Sequence, residues 1–311
     1  MKKIFYLLAA ITMIMFIGCK KENAVSDIPS VGNIAINSTM KVYSHGLQGW
    51  IKSDTVGVYV LSDGFPQENV MYVPSQTATP MEKSGFIMYD KRNPVSKDIL
   101  LTPVKEGKEI CFKAGKHQIF AYTPASKESK DYKNVALPDI SVQEPSAKEF
   151  TPLRKYGFYY TSTTIDKYSS AAVALGDMKP LFSQITLPPV AGPEELIDKQ
   201  ITKLTIKADK PIAYKKGAVI DLSTLKIKGE GINSIEFKIN TKVIKSRKEG
   251  SSILGQMPLF IMVAVPYEVA KDMDFEFIFT IDGKDYSTKG KNNPKFSNKG
   301  NNLAIISNPI Q

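Results

Sequence analysis

Apolar residues recur at every second position along much of this chain. Val56, Val58 and Val60 are separated by Gly57 and Tyr59, and Leu204, Ile206 and Ala208 by Thr205 and Lys207. Leu225 and Ile227 interleave with Lys226 and Lys228, and Ile235, Phe237 and Ile239 with Glu236 and Lys238. Phe275, Phe277, Phe279 and Ile281 follow the same rule. A period of two with one apolar face predicts strands that bury one side against another layer. Helical periodicity is nearly absent. Asp282-Gly283 stands between the last run and Lys284, and both residue types tolerate positive φ, so a type I′ hairpin is predicted there. Lys105-Glu106-Gly107-Lys108 predicts a second turn, between Ile99–Val104 and Glu109–Phe112. Many short strands joined by such turns predict an all-β chain built of β-sandwiches.

Two stretches break the pattern. Residues 123–155 carry Pro124, Pro138, Pro145 and Pro152 among many polar residues, which predicts a long loop, or a loop with an edge strand. Residues 180–194 hold Pro180, Pro188, Pro189 and Pro193, the composition of a linker, and Glu194-Glu195 reads as a solvated helix start. A boundary is therefore expected near 185–200, dividing the chain into residues 32–188 and 189–311. No internal repeat is evident.

The first eighteen residues do not belong to either sandwich. Lys2 and Lys3 precede an apolar run, Ile4 to Ile17, interrupted by Thr12. That length suits a secretory signal and falls short of the roughly 20 residues a spanning helix needs. The run ends in Phe16-Ile17-Gly18-Cys19, which resembles the lipobox of bacterial lipoproteins. Residues 1–18 are then a signal peptide, and Cys19 carries the lipid (diacylglycerol and an acyl chain such as palmitate). Residues 19–31 form a polar tether, and the protein faces outward from the outer membrane. The alternative is an ordinary signal that happens to contain a cysteine.

Composition narrows the chemistry. Hydrophobic residues make up 42% of the chain, enough for real cores. The formal charge of +10 lacks the aromatic interleaving of a nucleic-acid groove, and an export signal argues against nucleic acid more strongly. With Cys19 lipidated, Cys111 is left without a disulfide partner and reads as a buried small hydrophobe. The two histidines, His45 and His117, have no second ligand at metal spacing. No nucleophile elbow, phosphate loop or acidic calcium loop is present. No catalytic residue, metal or cofactor is expected, and the chain does not read as an enzyme. Trp50 is the one candidate for stacking on a sugar ring, set against a core role.

The order of these features resembles the fimbrillin family of Bacteroidia, the subunits of type V pili. It begins with the lipobox and tether, then Asp54–Val60, then Ile119-Phe120-Ala121-Tyr122-Thr123-Pro124. Pro180–Gln184, Leu204–Ala208, Ile281–Tyr286 and Lys299-Gly300 follow. The resemblance implies two transthyretin-like β-sandwiches and assembly by donor-strand exchange. A protease would remove the first strand, within Ile34–Tyr43, and another fimbrillin-like subunit would donate a strand to the vacated groove. The family's cut after arginine has no counterpart here, since the first arginine is Arg92. Lys41 and Lys52 are the candidate maturation sites, or the chain stays uncut and lipid-anchored. Either Leu303–Ser307 closes the last sheet, or Leu303–Ile310 is itself the donor. The resemblance thus implies a tip, anchor or accessory subunit rather than the main stalk, with other subunits and a host protein or glycan as partners. The competing reading is a surface lipoprotein that binds glycans.

Overall fold

The computed structural model describes residues 34–36, 54–62, 65–66, 68–75, 80–83, 86–89, 99–105, 110, 116–145, 156–165, 173–191, 193–245, 259–292, 302–307 and 310. The fold is an all-β sandwich. Among these residues the N-terminal sheet runs Val173–Ala174, Ile34–Ile36, Ile99–Pro103, Val70–Pro74, Val56–Ser62, His117–Thr123, Tyr159–Ile165, Lys179–Pro180. The C-terminal sheet runs Ser234–Lys242, Gln200–Ala208, Phe275–Ile281, Lys284–Asn292, Asn302–Ser307, Ser183–Leu187, Leu259–Val263. The buried apolar residues of both sheets form one contiguous cluster, from Val56 to Ile310.

The C-terminal sheet follows the predicted alternation. Phe275, Phe277, Phe279 and Ile281 are buried while Glu276, Ile278 and Thr280 are half-exposed, and Ser234–Lys242 alternates as regularly over most of its length. Asp282 and Gly283 adopt φ of 49° and 77°, the two positive values a type I′ turn needs. Leu225, expected within a strand, instead holds φ of 57° in the turn before Lys226–Lys228. Its amide closes that turn on Asp221 O at 2.7 Å.

The N-terminal sheet departs from one-sided burial. Val56–Val60 is buried at every position, and so is Ile119–Thr123. Val56, Val58 and Val60 line one face with Ile119 and Ala121. The opposite face carries Gly57, Tyr59, Phe120 and Tyr122, and it is covered by the loop that follows Thr123. Phe120 stacks on Tyr132 of that loop, with ring centroids 5.1 Å apart. The Tyr122 hydroxyl accepts from Asn69 Nδ2 at 2.9 Å and from Ser126 N at 3.2 Å. A ring row, Tyr59–Tyr122–Phe158–Phe182, carries this packing toward the second sheet with centroid spacings of 6.0, 5.9 and 5.8 Å. The Phe-Ala-Tyr-Thr-Pro segment is thus the seat of the covering loop. Burial of Tyr59 beneath it pushes that phenol's pKa far up, with Tyr122 adding to the effect.

That loop then crosses to the other half of the chain. Asp131 fixes its first bend by accepting from Lys133 N and Asn134 Nδ2. Val135–Ala136 pairs antiparallel with Val219–Ile220, and Leu137 N donates to Ala218 O at 3.1 Å. A 3-10 turn, Ile140–Val142, follows, capped by the Asp139 carboxylate on Ser141 N.

Gly57 is required because an added Cβ would sit 2.2 Å from Tyr122 Cε1. Gly57→Ala is therefore expected to displace the tyrosine from Asn69 and Ser126. The expected loss is about 1–3 kcal/mol of stability in a urea titration, with near-ultraviolet dichroism of the aromatic row reduced.

Candidate functional site

The first and last described strands, Ile34–Ile36 and Asn302–Ser307, show how each sheet is completed. Ile34–Ile36 lies between two neighbours of opposite sense. It pairs antiparallel with Ile99–Leu101 and parallel with Val173–Ala174. The parallel contact involves two residues on each side, and Val173–Ala174 closes that edge of the sheet. Short pairings of this kind hold a strand with few hydrogen bonds, and the Ile99–Pro103 strand beneath it contains fully buried Leu101.

Asn302–Ser307 has a similar placement in the other sheet. Its first half pairs parallel with Gln184–Thr186, and its second half pairs antiparallel with Gly290–Asn292. It therefore joins Lys284–Asn292 to Ser183–Leu187 within one sheet. Leu303 is fully buried at this junction. The strand is an interior element of its own sheet, as the reading of Leu303–Ser307 as the closing strand expects.

Cys19, Lys41, Trp50 and Lys52 lie outside the described residues, as do His45, Cys111 and the turn at 106–108. His117 is buried, and its Nδ1 lies 2.6 Å from Ser62 Oγ across the strand pair. That is a satisfied core histidine. Glu194 and Glu195 are exposed on a 3-10 turn, Glu194–Leu196. Among the described residues no group of His, Cys, Asp or Glu is placed to hold a metal. No described helix is long and apolar enough to cross a membrane. Ion pairs among them, such as Lys203–Glu236 at 3.4 Å and Lys291–Asp274 at 3.1 Å, are surface pairs that contribute little.

Among the described residues Asp221 is the one carboxylate with a resolved displacement. Burial pushes it up, but the Ser223 hydroxyl at 2.6 Å, the Ser223 N–H at 2.9 Å and the Lys228 charge outweigh this. The carboxyl is held below its ordinary 3.8. It anchors the turn whose strand receives Val135–Ala136. Sequence reading missed this junction, because the two-residue strand Val135–Ala136 is too short to show a period.

Comparison with known proteins places the geometry in context. The sequence profile of the fimbrillin-like family matches residues 43–309. No protein of curated function matches the chain. A candidate cell adhesion protein from Bacteroides uniformis is similar to it, with TM-score 0.46 and 14% identity over 91% of this chain and 99% of that one. A second, from Bacteroides ovatus, has TM-score 0.46 and 13% identity over 93% and 98%. A fimbrial assembly protein from Parabacteroides distasonis has TM-score 0.39 and 10% identity over 89% and 97%.

Two outcomes follow from the geometry. Leu303→Ala should cost about 2–5 kcal/mol and speed amide exchange at Gln184 and Thr186, whose backbone groups face the Asn302–Ala304 strand. Asp221 titrates lower folded than unfolded, so its stabilisation is complete above the unfolded value and is lost as pH falls through the folded one. Asp221→Asn should therefore lower stability at neutral pH and flatten the stability curve below pH about 4, read as melting temperature against pH.

Proposed function

The chain belongs to the fimbrillin-like family, and we propose that it is a structural subunit of a surface fimbria, exported as a lipoprotein on Cys19 and joined to its neighbours by strand exchange. Fimbrillin-like proteins are structural and non-enzymatic, so this is not an enzyme. The observation that carries the reading is the placement of Ile34–Ile36. This strand is held by three register pairs on one side and two on the other. Its loss would bare the edge of Ile99–Pro103, a row of unpaired backbone groups with buried Leu101 beside it. Such an edge is a template for an extended segment of another subunit, with main-chain hydrogen bonds giving affinity and alternate apolar side chains giving register.

The role within the fimbria follows from the other end. In this arrangement Asn302–Ser307 is committed to its own sheet on both sides. A subunit in this state accepts a strand and does not give this one, which favours a tip, anchor or accessory place over the stalk. The chain is read as two sandwiches, residues 32–188 and 189–311, with Ser183–Leu187 paired into the C-terminal sheet. Cleavage after Lys41 or Lys52 would release Ile34–Ile36 together with the lipid. Without it the lipid stays, and the subunit remains an anchor.

Intact-mass analysis of the protein taken from cells tests the proposal. A new N-terminus at Val42 or Ser53, with the trimmed protein taking up a donor-strand peptide or a second fimbrillin-like subunit, is the expected result for a polymerising subunit. An uncut chain carrying a lipid, moved from the membrane to the soluble fraction by Cys19→Ala, is the expected result for an anchor. Trimmed protein that stays monomeric and recovers no other subunit in pull-downs would remove the assembly reading.

A further inference from the structure

Leu259–Val263 is the last strand of the C-terminal sheet, paired on one side with Ser183–Leu187. Its sequence, continuing to Val265, is Leu-Phe-Ile-Met-Val-Ala-Val, without a charge or a proline, and every residue of it is buried. An apolar, uncharged edge of this kind is the standard hazard for strand addition by a second chain. The opposite edge is handled differently. Ser234–Lys242 exposes Glu236, Lys238 and Lys242, and charged side chains discourage pairing.

The apolar edge is instead covered hydrogen bond by hydrogen bond. Backbone groups of Phe260, Met262 and Ala264 point away from Ser183–Leu187, and each N–H has a partner. Phe260 N donates to Pro145 O at 3.2 Å, and Ala264 N donates to Ile212 O at 2.9 Å. Met262 is paired twice by one side chain. Its N–H donates to Gln143 Oε1 at 2.7 Å, and its carbonyl accepts from Gln143 Nε2 at 2.8 Å. Gln143 is 4% exposed, and its Nε2 also reaches Ile140 O at 2.8 Å. A side-chain amide offers the same donor and acceptor as a peptide unit, so Gln143 stands where one residue of a partner strand would stand. The segment holding it is the loop that leaves the N-terminal sheet after Thr123. It is tied down on the way by Val135–Ala136, and by Tyr156 Oη donating to Val142 O at 3.2 Å.

We propose that residues 140–145 are a built-in guard for the Leu259–Val263 edge, and that without Gln143 this edge pairs with the same edge of a second copy of the chain. A symmetric pairing suits the strand, because an antiparallel edge-to-edge contact is self-complementary. The inference goes beyond the fimbrial reading and does not depend on it, since it concerns the isolated protein.

The test compares the purified protein with Gln143→Leu, which keeps bulk and removes both amide bonds. Light scattering across a concentration series and backbone amide exchange are read together. The expected result is at least tenfold faster exchange at Phe260 and Met262 and at least tenfold stronger self-association. Exchange at Ile261, which faces Ser183–Leu187, should be unchanged. If Gln143→Leu does not fold, Gln143→Met is read in the same way. It matches the length of the glutamine side chain and removes both amide bonds. Exchange that stays slow at both amides overturns the proposal, as does fast exchange in a protein that associates no more than the unaltered one.

Discussion

A β-strand carries an N–H and a C=O on each side at every second residue, and those groups have to be paired when they are shielded from water. That demand organises this chain more than any single side chain does. Each sheet ends somewhere, and three of the four ends of the two large sheets are met by different devices. At Ser234–Lys242 the device is charge. At Leu259–Val263 it is the amide of Gln143 and the carbonyl of Pro145. At the N-terminal sheet it is a two-residue parallel strand, Val173–Ala174, laid against Ile34–Ile36. The first two devices bind an edge firmly or repel a partner. The third holds its neighbour by two register pairs.

The loop after Thr123 ties these demands together. It covers the aromatic face of the N-terminal sheet, crosses to pair with Val219–Ile220, and finishes on the edge of the C-terminal sheet. Packing of Tyr132 on Phe120 and the hydrogen bonds at Tyr122 set where it starts. Asp131 and Asp139 set its bends by capping nearby amides. The two sheets are thus joined through buried contacts as well as through the connecting chain.

The strands were legible where burial is one-sided. Phe275–Ile281 and Ser234–Ile239 follow the alternation, and Asp282-Gly283 forms the predicted hairpin turn, because a half-exposed strand writes its period into the sequence. Val56–Val60 shows alternating valines, yet Gly57 and Tyr59 between them are buried too. Nothing local in those five residues announces the loop that covers them. Leu259–Val263 carries no period at all, since both of its faces are buried. The guard was the least legible. Gln143 sits in a proline-bearing polar stretch, and its importance depends on Met262, more than a hundred positions away.

What the sequence by itself determined is the class of structure. Alternation fixes strands and turn chemistry fixes hairpins, because each of these signals is local. What only the tertiary structure decided is which strands lie at edges, which edges are sealed, and how few register pairs hold Ile34–Ile36. Those are properties of neighbours brought together from distant parts of the chain, and a hydrogen bond between a side chain and a strand edge leaves no trace in the spacing of residues along it.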